Sequence, residues 1–151
     1  MYQYSGMKVT LDRIALDELK KYITIGFADD PELISKIHIS PGTLEHCVNH
    51  NYETVKDAER NNGEFYKVMY GEQEIGFVVA IREPNLIPSF GININHRCRE
   101  TLLGFLQALK DLFDGDTYMV CVWEKNERAI NFFRRNNFNF STKDKMVFLW
   151  A

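Results

Sequence analysis

Asn126-Glu127-Arg128-Ala129-Ile130-Asn131-Phe132-Phe133-Arg134-Arg135-Asn136-Asn137-Phe138 reads as a short amphipathic helix with a stop built into its end. Ala129, Phe132 and Phe133 recur at the three- and four-residue spacing of one helix face. Asn126 stands where a side-chain oxygen can cap the first turn. Asn137 tolerates the left-handed backbone that ends a helix. Small Ala129 lets the helix lie close to whatever it packs on, and Phe132 and Phe138 are expected in the core. The stretch just before it, residues 118–123, is Tyr-Met-Val-Cys-Val-Trp, rich in β-formers and read as a strand. Residues 145–150 form a closing strand beyond it.

Working upstream, residues 101–114 form the clearest helix, with Leu102, Leu103, Phe105, Leu106, Leu109, Leu112 and Phe113 in one stripe and Asp114-Gly115-Asp116 as its stop. Pro84-Asn85 and Pro88 punctuate a loop, and residues 90–95 are read as a strand. Strand, helix and strand over 90–123 then make a right-handed crossover with parallel strands. Residues 64–70 and 73–82 are strands joined at Gly71-Glu72. The second is apolar on both faces and belongs in the sheet interior. Nearer the start come a strand at 8–11, a helix at 14–25 and a break at 26–30 before Pro31. Residues 31–39 fit a helical turn or a packed loop. Ser40-Pro41 reads as the cap and first turn of a further helix with a stripe of Leu44, Cys47, Val48, Tyr52 and Val55, ended by Asn61-Asn62-Gly63. The expected class is α/β (α+β): a mixed, mostly antiparallel central sheet flanked by helices, with one parallel strand–helix–strand unit at its centre.

The composition bounds the function. A chain of 151 residues, 45% apolar and 26% charged, makes one folded domain spanning residues 1–151. Its 18 basic and 21 acidic residues give a net charge of −3, which argues against a nucleic-acid partner. The longest apolar run, residues 75–81, is too short to span a bilayer, and the first six residues lack a basic start and an apolar core. A cytoplasmic protein with no membrane partner is expected. Cys47, Cys98 and Cys121 are far apart and unpaired in spacing, so reduced, mostly buried thiols are expected. His46 and His50 share a helix face opposite the apolar stripe and have no evident third ligand, so they are expected to be solvated, and no metal site is assigned. Arg134-Arg135 read as a solvated helix end that suits the dipole. No G-x-x-x-x-G-K-[ST], G-x-S-x-G or H-E-x-x-H motif occurs.

The segment from Asn126 to Phe138 resembles the N-x-x-A-x-x-F-Y-x-x-x-G-F pattern of the GCN5-related N-acetyltransferase (GNAT) superfamily, with Asn126, Ala129, Phe132 and Phe138 matching in position. The element order resembles the family over nearly the whole chain. The resemblance implies acetyl transfer from acetyl-CoA to an amine by direct attack in a ternary complex. The acceptor would be a small-molecule or protein amine. Acetyl-CoA would wedge between the strands at 90–95 and 118–123, with a strand N–H near Asn93 and Ile94 polarising the thioester carbonyl. The family's Q/R-x-x-G-x-G/A phosphate loop falls on Arg97-Cys98-Arg99-Glu100-Thr101-Leu102. Arg97 fits the first position, and Arg99 and Arg128 add phosphate contacts. Asn126 both caps its helix and stands where the family contacts pantetheine or sulfur.

Two departures follow from the same alignment. Glu100 and Leu102 occupy both glycine positions, and a carboxylate among the amides of a helix N-terminus competes with phosphate for them. Like charges about 4 Å apart repel by roughly 4 kcal/mol at an effective dielectric of about 20. Phe133 replaces the usual tyrosine and has no proton to give a departing thiolate. The candidate bases are His96, a loop residue, and Glu83, at a strand end. Losing the loop glycines and the acid together is also what a chain would show if it kept the fold as a catalytically silent structural or interaction module. Val122-Trp123-Glu124-Lys125-Asn126 is similar in this respect to GNAT-fold internal virion proteins of short-tailed phages. That alternative implies a protein partner and a place in a phage particle.

Overall fold

The computed structural model describes residues 8–36 and 43–151. Its seven strands are β1 (Val9–Ile14), β2 (Gly63–Tyr70), β3 (Gln73–Ile81), β4 (Leu86–Ile92), β5 (Met119–Trp123), β6 (Asn139–Lys143) and β7 (Met146–Trp150). They form one sheet in the order β1-β2-β3-β4-β5-β7-β6. Neighbours are antiparallel except β4 and β5, which are parallel and joined through helix α4 (Arg99–Leu112). Helices α1 (Leu19–Phe27), α2 (Pro31–Lys36) and α3 (Leu44–Val55) pack into the core on one face. Helices α4 and α5 (Glu127–Arg135) close the core on the other.

This layering explains the run of apolar residues in β3. Ile75, Val78 and Ala80 join the α4/α5 core, while Phe77 and Val79 join the α1/α3 core. A strand covered on both faces needs no polar alternation. The end of α1 lies directly on this strand and its neighbour. A Cβ on Gly76 would stand 1.9 Å from the Gly91 carbonyl oxygen, and one on Gly26 would stand 3.0 Å from the Phe77 ring. Glycine is required there because backbone and ring atoms occupy the space of a side chain.

The helical stop signals shift by a few residues. The expected helix at 14–25 becomes a 3-10 turn, Leu16–Glu18, followed by α1, which runs on through Gly26 and Phe27. The 31–39 stretch is helical over Pro31–Lys36. Ser40-Pro41 lies outside the described residues. At the start of α3, the Thr43 hydroxyl accepts from the His46 N–H at 3.2 Å. The helix at 101–114 begins and ends two residues earlier, at Arg99–Leu112.

The strand expected at 90–95 is corrected to Leu86–Ile92, with Asn93 capping a 3-10 turn at Ile94–His96. Pro88 was the reason for reading a loop there. The β3–β4 register slips by one residue between the Val79–Ser89 and Ile81–Leu86 pairs, so Pro88 sits in a bulge, one of the few strand positions that tolerates it.

In α5, Asn126 caps as expected, its oxygen accepting from the Ala129 N–H at 3.3 Å, and Asn137 is left-handed at φ 70°. Phe133, at 1% exposure, takes the core place expected of Phe132, which is half-buried. Full burial of such a ring stabilises by about 2–3 kcal/mol. Phe138 is buried as expected.

Candidate functional site: the opening between β4 and β5

The parallel strands pair at only two positions, Leu86 with Met119 and Ile87 with Val120. The next residue, Pro88, lies in the bulge, which shifts the alternation so that Ser89 faces Val79 of β3 instead of continuing the ladder to β5. Asn93 donates its N–H to Ile75 of β3 at 2.7 Å. Alternation along β4 therefore turns the N–H groups of Ile92 and Phe90 to the open edge facing β5. The Ile92 carbonyl, on that same edge, accepts from Arg97 Nε at 2.7 Å. The Phe90 amide is thus a main-chain donor aimed into the opening.

A cavity lies on each side of the sheet here, and Phe27, Phe90 and Asn126 line both. The α3-side cavity, about 600 Å³, is walled by His46, His50 and Asn51 opposite Cys121, Trp123 and Met146. Asn51 accepts from the Ser89 hydroxyl of β4 at 3.1 Å, and Trp123 donates its indole N–H to the Lys36 carbonyl at 2.6 Å. These bonds tie α3 and the end of α2 to the two parted strands. The α4/α5-side cavity, about 460 Å³, is lined by Ile94, Arg97, Leu102, Arg128, Phe132 and Arg135 among others. Phe90 stacks on Phe105 at 5.8 Å and meets Phe133 edge-on at 5.7 Å, giving this cavity an aromatic floor.

Its charge is set by one buried carboxylate. Asp30, 1% exposed, accepts from Arg97 at 2.6 Å, from Arg128 at 2.9 and 3.0 Å, and from the Leu33 N–H at 3.2 Å. Burial acts to raise its pKa, but the hydrogen bonds from Arg97, Leu33 and Arg128 together outweigh it and hold the carboxyl below the usual value. Two guanidiniums share one carboxylate, so the Arg97–Asp30–Arg128 cluster itself carries a net positive charge.

The sequence-predicted residues divide clearly. Ile94, Arg97, Leu102, Asn126, Arg128 and Phe133 line the α4/α5-side cavity. Asn93, Arg99, Glu100 and Thr101 do not. The Asn93 backbone N–H is taken by the Ile75 carbonyl of β3, and its side-chain amide donates to the Ile25 and Ala28 carbonyls, fastening β4 to the end of α1. Thr101 is buried, its hydroxyl 3.2 Å from the Cys98 sulfur. Arg99 and Glu100 are exposed in the first turn of α4, with the Glu100 carboxylate outside the cavity. Neither His96 nor Glu83 lines either cavity. Glu83 precedes β4, at the end where β4 and β5 remain paired. Phe133 is locked among Phe90, Phe132 and Phe138. The expectation of mostly buried thiols fails at Cys98, which is exposed. Hydrogen bonding from the Thr101 side chain and main chain lowers its pKa, while burial pushes Cys121 up to about 11.

No protein-family model and no curated protein matches this sequence. Solved structures do match in fold. An acetyltransferase from Thermus thermophilus superimposes with a TM-score of 0.70 at 17% identity, over 95% of this chain and 94% of that one. A probable GNAT-family acetyltransferase from Chromobacterium violaceum gives 0.63 at 14%, over 95% and 81%. The PaiA N-acetyltransferase from Thermoplasma acidophilum, in complex with coenzyme A, gives 0.64 at 12%, over 96% and 99%. The chain has the GNAT fold. The parted parallel strands at its centre give that fold its opening.

Sequence reasoning missed Asp30, Asn51 and Ser89, singled out Trp123 without a site role, and set His46 and His50 aside as solvated. Both histidines are indeed exposed, yet they wall a cavity. The helical spacing showed that they share a face, but not what that face overlooks. Among the described residues, no cluster of three or more potential ligands could hold a metal ion, and no helix is long and apolar enough to cross a membrane.

Proposed function

We propose that this chain is an acyl-CoA-dependent N-acetyltransferase that joins an acetyl group to an amine through direct attack. The observation that carries the reading is the opening itself: β4 and β5 part after Ile87, and the cavities on the two sides of the sheet share Phe27, Phe90 and Asn126 in their linings. Charge assigns the sides. Arg97, Arg128 and Arg135 border the α4/α5 side and suit the phosphates of CoA. The amine enters from the α3 side. The Phe90 N–H is placed to polarise the thioester carbonyl as negative charge develops on its oxygen. Glu100 is exposed in the first turn of α4 and does not line that cavity. Phe133 cannot act as the acid, so the thiolate leaves without a tyrosine. A free thiol of pKa about 8.5 leaves with little help.

Titration of the protein with acetyl-CoA by calorimetry tests the reading. Saturable micromolar binding, weakened by charge reversal of Arg128 and Arg135, supports it. No saturable binding at millimolar acetyl-CoA refutes it. The loss of the loop glycines and of the tyrosine favours one second reading in that event, a silent GNAT-fold interaction module, and pull-down for a protein partner then follows.

A further inference from the structure

The α3 wall of the opening carries chemistry that the resemblance did not assign. His46 and His50 are one helical turn apart, their rings 6.5 Å between centroids and inclined by 29°, and both line the α3-side cavity. The Asn51–Ser89 hydrogen bond holds this turn of α3 against β4 just beyond the bulge. No aspartate or glutamate among the described residues lines that cavity. Its other walls are largely apolar, with Phe27, Val55, Phe90, Val122, Trp123 and Met146. Cys121 also lines it, but burial pushes that thiol up to about 11, which keeps it protonated near neutral pH.

We propose that the His46–His50 face of α3 is the proton-accepting wall of the acceptor site, and that the site takes a monoamine carried on an apolar or aromatic body. The proposal rests on the transferase reading above. Imidazole is the side chain suited to exchanging protons near neutral pH. The acceptor arrives as R–NH3+, and an imidazole nitrogen takes one proton. The freed lone pair forms a C–N bond to the thioester carbon, whose oxygen becomes an oxyanion facing the Phe90 N–H. The C–S bond then breaks, and the second proton of the nitrogen passes to the thiolate. The products are the amide, CoA thiol and an imidazolium that returns its proton to solvent. An acceptor with several ammonium groups would find no carboxylate in this cavity to pair with them, and burying an unpaired charge is costly. An aromatic or aliphatic body instead gains from the apolar walls.

The test measures thiol release from acetyl-CoA with 2-phenylethylamine and with spermidine, for the wild type, His46→Ala, His50→Ala and the double variant. Calorimetry with acetyl-CoA alone runs in parallel. The expected result is at least tenfold higher kcat/KM for 2-phenylethylamine. The double variant falls by about 10²-fold or more, the usual span of a general base. Added imidazole restores part of the rate, and acetyl-CoA affinity is unchanged. Because both side chains are exposed, the variants keep their fold, which thermal melting verifies. A double variant as fast as wild type, or a preference for spermidine, overturns the proposal while leaving the transferase reading intact. Absence of acetyl-CoA binding by the wild type overturns both, and the calorimetric arm identifies that case.

Discussion

Replacing Asp30 with Asn is expected to lower stability and raise affinity for an anionic cofactor. The carboxylate is 1% exposed and receives charged hydrogen bonds from Arg97 and Arg128, whose side chains are 22% and 48% exposed. An amide keeps the shape and can still accept from Leu33, but the two guanidiniums lose their counter-charge. Breaking a fully buried ion pair costs about 3–5 kcal/mol. Partial exposure of both arginines reduces this, so ~2 kcal/mol is expected. For a chain of this size that is a fall of roughly 4–8 °C in melting temperature. For the cofactor the sign reverses. A phosphate held by these arginines is relieved of repulsion from the carboxylate, which for unit charges ~8 Å apart is ~2 kcal/mol at an effective dielectric of about 20. Salt cuts this to about 1 kcal/mol, or some fivefold in affinity. The pH dependence follows from the depressed pKa of Asp30. Its stabilisation is fully present above the ordinary aspartate value near ~3.9 and is lost as pH falls through the lowered folded-state value. The gap between wild type and variant therefore closes on acidification below about pH 4. Urea melts across pH and calorimetry with coenzyme A measure both effects. A variant as stable as wild type at pH 7, or one that binds coenzyme A more weakly, refutes this account of the cluster.

Gly76→Ala would place a Cβ 1.9 Å from the Gly91 carbonyl oxygen, so β4 must move. A loss of about 3 kcal/mol in urea unfolding is expected. Asn126→Ala removes the cap of α5 and should cost about 1 kcal/mol by the same assay. Alkylation with iodoacetamide followed by mass spectrometry should label Cys98 first, because it is exposed and its pKa is lowered. Cys121, pushed up to about 11, and buried Cys47 should lag well behind.

Much of the fold was legible because local signals and burial agreed. The 75–81 run announced a strand covered on both faces, and the stripe in α4 announced the face it buries. Asn126 and Asn137 marked both ends of α5. Legibility failed where a residue's local preference and its tertiary use diverge. Pro88 argues locally for a loop, yet in the bulge of β4 it ends the parallel ladder and begins the opening. Asn93 looked like a strand-end ligand contact, but its backbone N–H is spent on Ile75 of β3 and its side-chain amide on carbonyls at the end of α1. Phe132 and Phe133 are adjacent on one face, and only the approach angle of the helix decides which is buried. Asp30 carried no signal, since its two arginines lie 67 and 98 residues away in the chain.

The α4/α5 side of the candidate site was more legible than the α3 side. Arg97, Leu102, Asn126 and Arg128 belong to motifs with fixed spacing, and the structure gathers them around one cavity. The α3 side is assembled from α3 and two parted strands, so no single segment carries its pattern.

The central claim is that the gap after Ile87 and Val120 admits a thioester. Hydrogen–deuterium exchange with and without saturating acetyl-CoA tests it most directly. The account predicts protection at the amides of residues 89–92, with Phe90 foremost, and at residues 121–126 and the start of α4. Saturable binding that protects amides elsewhere and leaves Phe90 unchanged would contradict it.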